Sequence, residues 1–249
     1  MVRSKDALNR LIIMLVLLNL TSHVFSESLY KRIIYTAFIT RDMNKWKNVI
    51  RSIEATNSTN TLTEKLELVN YYYGYIGYLV GKKQYEPAEL LIDKGELLIG
   101  DVLRISPKNA TAYSYKGSFM GFQIGIDKYK AIYLGSKSRY NIDKAIGLDP
   151  LNVQALIDKG NILYYAPVVF GGDKKEALIY FLKGAKLMER NKDTYQNWEY
   201  LNLLTIIASA YEKIDKLKEA KLMYEKIIGI EPDILWVKDE LYPRLLTKM

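Results

Sequence analysis

Apolar residues recur every three or four positions through most of this chain, which is the spacing of helices that bury one face. The segment 90–105 is a clear example, with apolar residues at Leu90, Leu91, Leu97, Leu98, Val102 and Ile105. Polar or proline-containing stretches interrupt the pattern at 57–61, 106–107 and 149–150. Proline lacks the amide donor that a helix interior needs, and it disfavours a helical conformation in the residue before it. The sequence therefore predicts an all-α fold.

The interruptions divide the helical pattern into pairs of helices joined by short turns. Five such hairpins are predicted, at about 29–55, 63–104, 109–147, 152–189 and 194–230. A last apolar stretch at about 234–246 predicts a single helix that shields the final apolar face of the stack.

A spacing of 43 residues repeats along the chain. Pro107-Lys108-Asn109 returns as Pro150-Leu151-Asn152, and Lys116-Gly117 returns as Lys159-Gly160. Repeats at a fixed period of this size indicate stacked supersecondary units, each of which buries its apolar face against its neighbours.

The fifth hairpin resembles the tetratricopeptide repeat (TPR) family. The residues that carry the resemblance are Leu204, Ile207, Ala208, Tyr211, Ala220, Tyr224, Ile227 and Pro232. The likeness covers roughly 30–232, although the 43-residue period exceeds the family's repeat of about 34 residues. It implies a right-handed superhelical stack of about five TPR-like hairpins plus a C-terminal capping helix. It also implies a concave groove that binds a protein or peptide, and no catalytic activity.

The segment 166–177, Ala-Pro-Val-Val-Phe-Gly-Gly-Asp-Lys-Lys-Glu-Ala, carries a second resemblance. It is similar to periplasmic TPR proteins of the kind found as the T component of TRAP-type solute transporters. That resemblance implies a solute-binding protein as partner. It offers an alternative function, a periplasmic transport accessory that holds a small solute or lipid.

Residues 1–26 have the organisation of a secretory signal peptide. Arg3, Lys5 and Arg10 precede the apolar stretch Leu11–Leu20, and Val24-Phe25-Ser26 ends in small residues suited to cleavage. We expect cleavage near Ser26 and export of 27–249 to the periplasm or the medium, with no membrane span remaining. The alternative is that the apolar stretch is kept as an anchor.

Composition excludes several kinds of chemistry. The chain has no cysteine, and its single histidine, His23, lies in the predicted signal. The mature chain therefore cannot use Ser-His-Asp or Cys-His catalysis, Cys/His zinc sites or disulfides, and we expect no cofactor and no metal. An enzyme that uses a pair of carboxylates remains a distant alternative. The net charge of +8 is mild for 249 residues and is not gathered in a dense patch, so no nucleic-acid partner is expected.

The 43-residue period also aligns candidate binding residues. Tyr73, Lys116 and Lys159 occupy the same place in three successive first helices, and Thr205 takes that place in the fifth hairpin. In the TPR pattern this place and the turn before it face the concave surface, where two lysines would select an acidic partner. The six candidate binding residues are Tyr73, Tyr113, Lys116, Lys159, Asn202 and Thr205. The alternative is that the lysines form only a solvated face.

Overall fold

A computed structural model describes residues 29–56 and 59–249. The predicted signal peptide lies outside the described residues. The helices of the first half are α1 (29–40), α2 (Met43–Thr56), α3 (Leu62–Gly81), α4 (Tyr85–Ile105), α5 (Ala110–Ile126) and α6 (Ala131–Leu148). Those of the second half are α7 (Val153–Tyr165), α8 (Lys174–Arg190), α9 (Trp198–Lys213), α10 (Leu217–Ile230) and α11 (Tyr242–Leu246).

The helices α1 and α2 are joined by a turn at 41–42 and form the first of five hairpins. In the other four, α3 contacts α4, α5 contacts α6, α7 contacts α8 and α9 contacts α10. The first helices of neighbouring hairpins also touch, as α3 does with α5 and α5 with α7. A final helical segment at 235–246, which contains a π-helical turn at Val237–Leu241, packs on α10. The prediction of an all-α stack of TPR-like hairpins with a capping helix is confirmed. None of the helices in the described part of the chain is both long and apolar enough to cross a bilayer.

Side-chain caps begin the helices at positions that the sequence repeats. Asn109 and Asn152, which are 43 residues apart, each accept a hydrogen bond from the amide three residues later, at 2.9 and 3.0 Å. Thr61 and Glu64 form a reciprocal capping box at the start of α3. Such caps satisfy amides that have no partner inside the helix, so each one fixes where a helix starts.

Small residues at the helix crossings let the two helices of a hairpin approach closely. A Cβ added to Gly160 would lie 2.4 Å from the Phe181 ring, and one added to Gly117 would lie 2.6 Å from Ile142. Ala88 and Ala220 are fully buried at comparable places in their hairpins. Any larger side chain there would overpack the contact.

The stack curls until its first and fifth hairpins meet. The rings of Trp46 on α2 and Trp198 on α9 are 4.8 Å apart at their centroids. Gly74 on α3 leaves room for both, since an added Cβ would lie 2.5 Å from Trp46 and 2.8 Å from Trp198. The hydroxyl of Tyr35 on α1 donates to the Glu231 carboxylate at 2.6 Å. Side chains from both ends of the stack therefore pack together on its inner side.

Candidate functional site

The curl of the stack corrects the placement of two candidate binding residues. Tyr73 is only 9% exposed, and its hydroxyl donates to Asp158 on α7 at 2.9 Å. Thr205 is 2% exposed and bonds the Leu201 carbonyl of its own helix at 2.8 Å. Both lie in the packed interior, and Tyr73 does so because the second and fourth hairpins are in contact. They do not line an open concave groove.

Lys159 is also largely buried and already has an acidic partner. Its side chain is 14% exposed, and its ammonium lies 2.6 Å from the Asp143 carboxylate on α6. Asn202 on α9 is partly exposed, but it is not part of the pocket described below. The three residues predicted to share a column with equal roles, Tyr73, Lys116 and Lys159, therefore have different surroundings.

A buried polar network occupies the inner side, and the sequence analysis missed it. The carboxylate of Asp158 is fully buried and accepts hydrogen bonds from Ser114 on α5 at 2.6 Å and from Gln154 at 2.9 Å, besides the bond from Tyr73. Burial raises the pKa of Asp158, and the hydrogen bonds from these donors oppose that rise. The network joins α3, α5 and α7.

A second group of polar side chains joins α3, α5 and α9. Asn70 donates to the Tyr115 hydroxyl at 2.9 Å and accepts from the Trp198 indole at 3.2 Å. Burial raises the pKa of the neighbouring Glu199 to about 7, which a hydrogen bond with Asn70 opposes. These groups hold the inner helices in register, because each donor and acceptor lies on a different helix.

Two candidate residues, Tyr113 and Lys116, do come together in a surface pocket between α5 and α6. The pocket has a volume of about 540 Å³. Its lining residues are Tyr113, Lys116, Met120, Ser136, Lys137, Tyr140, Asn141 and Lys144. We call this the α5–α6 pocket. The close crossing at Gly117, whose carbonyl accepts from Ser138 at 2.7 Å, fixes the two helices that form its walls.

The α5–α6 pocket is cationic and aromatic. Three lysines line it, and no carboxylate is among the lining residues. The ammonium of Lys144 donates to the Tyr113 hydroxyl at 2.8 Å and lies 4.1 Å from the centroid of that ring. The hydrogen bond raises the pKa of Lys144. Lys116 lies within electrostatic reach of Glu96 on α4. The pocket can therefore receive an anionic group beside an aromatic or aliphatic one.

A second pocket is lined by two carboxylates, Glu189 and Glu231. A pair of this kind is what an enzyme that uses two carboxylates would need. The Glu189 carboxylate accepts from Lys226 and from the Tyr200 hydroxyl, each at 2.7 Å, and these bonds lower its pKa. Tyr35 donates to Glu231. A general acid needs a raised pKa, so Glu189 is poorly suited to that role.

No family model matches the sequence, and no curated protein matches it. Among solved structures, the chain is similar to a thermophilic TPR protein from Thermus thermophilus, with a TM-score of 0.57 and 12% sequence identity over 83% of this chain and 93% of that one. The chain therefore has a TPR-like helical fold. The chain is also similar to the HusA haemophore from Porphyromonas gingivalis, with a TM-score of 0.58 and 12% identity over 74% of this chain and 94% of that one. At this identity the likeness concerns the fold alone.

Proposed function

We propose that this chain is an exported, non-catalytic TPR-like scaffold that binds an acidic segment of another protein at the α5–α6 pocket. The observation that carries the proposal is the set of three lysines, Lys116, Lys137 and Lys144, around a pocket without a lining carboxylate. Three like charges at one place repel one another, and an anionic ligand relieves that repulsion. Tyr113 and Tyr140 add rigid amphipathic surface of the kind that protein interfaces use.

The partner is acidic, as expected from the sequence, but it binds at the α5–α6 pocket and not along the predicted column of Tyr73, Lys116 and Lys159. Lys159 already has a carboxylate partner in Asp143, whereas Lys116 and Lys137 have no ion pair within 4 Å among the described residues. Lys116 and Lys137 are therefore the lysines to change in a test. Neither side chain is buried, so reversing their charge leaves the core intact.

The test is a titration with a fluorescent peptide of alternating glutamate and tyrosine. We expect Lys116→Glu with Lys137→Glu to weaken binding at least tenfold and wild-type binding to weaken as salt rises. The matched control is Lys186→Glu with Lys218→Glu, which makes the same change in net charge at two exposed positions outside the pocket. Equal affinities for the pocket variant and the control would contradict the proposal.

The transport-accessory alternative is favoured by the lining of the same pocket. The pocket is an open depression, so a small ligand bound there would stay partly in contact with solvent. Its aromatic walls and lysines suit a flat molecule with carboxylates, and a chain with a related fold is a haemophore. The mature chain has no histidine or cysteine, so a haem held here would find only Tyr or Met among the usual axial donors.

Protoporphyrin IX is the probe for this second candidate. If the pocket takes a small anionic ligand, protoporphyrin should bind the wild type and should bind Tyr140→Ala and Lys116→Glu more weakly, as measured by quenching of its fluorescence. Binding that both variants retain would place the porphyrin elsewhere. If the peptide binds at the pocket and protoporphyrin does not, the first candidate stands alone.

A further inference from the structure

The connection between α7 and α8 presents a row of apolar side chains to solvent. Val168, Val169 and Phe170 are 80%, 84% and 69% exposed. Single exposed apolar residues are common, but three adjacent ones that leave most of their surface in water contribute little to the stability of the fold. Their presence calls for a role outside the folding of this chain.

The turn holds these side chains in a fixed arrangement. Gly171 has a left-handed φ of 80°, and a Cβ added to Gly172 would lie 1.9 Å from the Ala166 carbonyl oxygen. The amides of Phe170 and Gly172 both donate to the Pro167 carbonyl, at 2.9 and 3.0 Å. Glycine is favoured at 171 by its left-handed φ and is required at 172 by the close approach of the Ala166 carbonyl, so the two glycines fix the path of the turn that carries the apolar side chains.

Exposed apolar side chains also occur at the start of α6, the helix that contacts this turn. Arg139 donates to the Phe170 carbonyl at 2.9 Å, which places the turn beside this helix. Ile132 precedes Arg139 by seven residues and lies on the same face, about 10 Å away. Ile132 is 85% exposed, and Tyr129, in the short turn before α6, is 83% exposed. We call Tyr129, Ile132, Val168, Val169 and Phe170 the apolar tip.

Basic residues lie beside the apolar tip. Apart from Lys137, which lines the α5–α6 pocket on the other face of α6, the segments 127–139 and 166–176 carry five cationic side chains and three carboxylates. The five cations are Lys128, Lys130, Arg139, Lys174 and Lys175, of which Lys130 lies 3.7 Å from the Glu89 carboxylate. Two of the carboxylates are turned towards backbone amides, since Asp127 accepts from the Tyr129 amide at 3.0 Å and Asp173 accepts from the Lys175 amide at 2.8 Å. The charge that faces outward around the tip is therefore mainly positive.

We propose that the apolar tip docks on a membrane surface that contains anionic lipids. Small convex apolar surfaces insert at the boundary between headgroups and acyl chains, and neighbouring lysines and arginines add attraction to anionic headgroups. The mainly positive charge beside the tip favours an anionic lipid surface over a neutral one. The inference is independent of the α5–α6 pocket and goes beyond the proposed function.

The test is co-sedimentation of residues 27–249, the chain expected after cleavage, with vesicles of phosphatidylcholine alone or mixed with phosphatidylglycerol. The apolar stretch Leu11–Leu20 is left out because it would bind vesicles by itself and mask the effect of the tip. We expect binding to the anionic vesicles to fall at least tenfold for Val169→Asp with Phe170→Asp. It should also fall for Lys174→Glu with Lys175→Glu, whose added negative charge at a helix start favours the helix.

The matched control is Leu97→Asp with Ile179→Asp, which adds the same charge at two other apolar positions that are 75% and 66% exposed. This control should bind anionic vesicles as the wild type does. In Phe170→Trp, the tryptophan emission should shift to shorter wavelength on anionic vesicles and not on phosphatidylcholine alone. Failure of the wild type to bind anionic vesicles would overturn the proposal, and so would a tip variant that binds as well as the control.

Discussion

The buried carboxylate of Asp158 should contribute strongly to the stability of the stack. It has no exposed surface and receives hydrogen bonds from Tyr73, Ser114 and Gln154, which lie on three different helices. Asp158→Ala would leave these three donors without their acceptor in a space closed to water. A buried donor without a partner costs about 1–3 kcal/mol.

The net effect is smaller than three full penalties. The Ser114 hydroxyl can rotate to a carbonyl of its own helix. The substitution also removes a carboxyl group whose burial is unfavourable, as the raised pKa of Asp158 indicates. We expect Asp158→Ala to lower the free energy of unfolding by about 3 kcal/mol, which for a chain of this size is a fall in melting temperature of roughly 10 °C. Asp158→Asn keeps one acceptor and should cost less than about 1.5 kcal/mol.

Urea denaturation and thermal melting, both followed by circular dichroism, measure these differences. Asp143→Ala is the matched control, because Asp143 is 49% exposed and its ion pair with Lys159 is at the surface. Such pairs contribute about 0–1 kcal/mol. If Asp158→Ala were no less stable than Asp143→Ala, the network would not hold the inner helices together, and the reasoning would be refuted.

Two further predictions concern Glu199 and the amino terminus. The pKa of Glu199 is raised from 4.5 to about 7, so between these values the folded state binds more protons than the unfolded state, and stability falls as pH rises. Glu199→Gln should remove this loss, which is at most about 3 kcal/mol at pH 8. Urea denaturation at pH 5 and pH 8 checks it, and equal pH dependence in both proteins would contradict it. The proposed export predicts that amino-terminal sequencing of the mature protein begins at Glu27, and recovery of the uncleaved chain would contradict it.

The sequence predicted most of the helices because their signals are local. The Asn109 and Asn152 caps and the proline-containing stretches lie next to the helix ends that they determine. The crossings were also predictable, since Ala220 and Gly160 recur at the repeat period where two helices meet. Each of these features depends on residues of one hairpin or of its immediate neighbour.

The candidate site was predicted less well because the carboxylate partners are remote in sequence. Asp143, in the preceding hairpin, forms an ion pair with Lys159. Asp158 accepts a hydrogen bond from Tyr73, which is 85 residues away in the sequence. The 43-residue period places Lys116 and Lys159 at equivalent positions, but it does not predict which of the two lysines lies beside a carboxylate. Lys137 and Lys144 lie seven residues apart on α6, and only the packing of α6 on α5 places them beside Lys116 in one pocket.

The curvature of the stack decides whether a repeated position is surface or core, and the residues that set this curvature do not repeat. Trp46 and Trp198 are 152 residues apart, which is not a multiple of 43, yet they meet over Gly74 and bring the two ends of the stack together. Large aromatic side chains bury more apolar surface than the other residues on these helices, so their contact favours the closed arrangement over an open groove. A repeat period therefore predicts which residues share a column, whereas the bulk of unique inner side chains determines whether a ligand can reach that column.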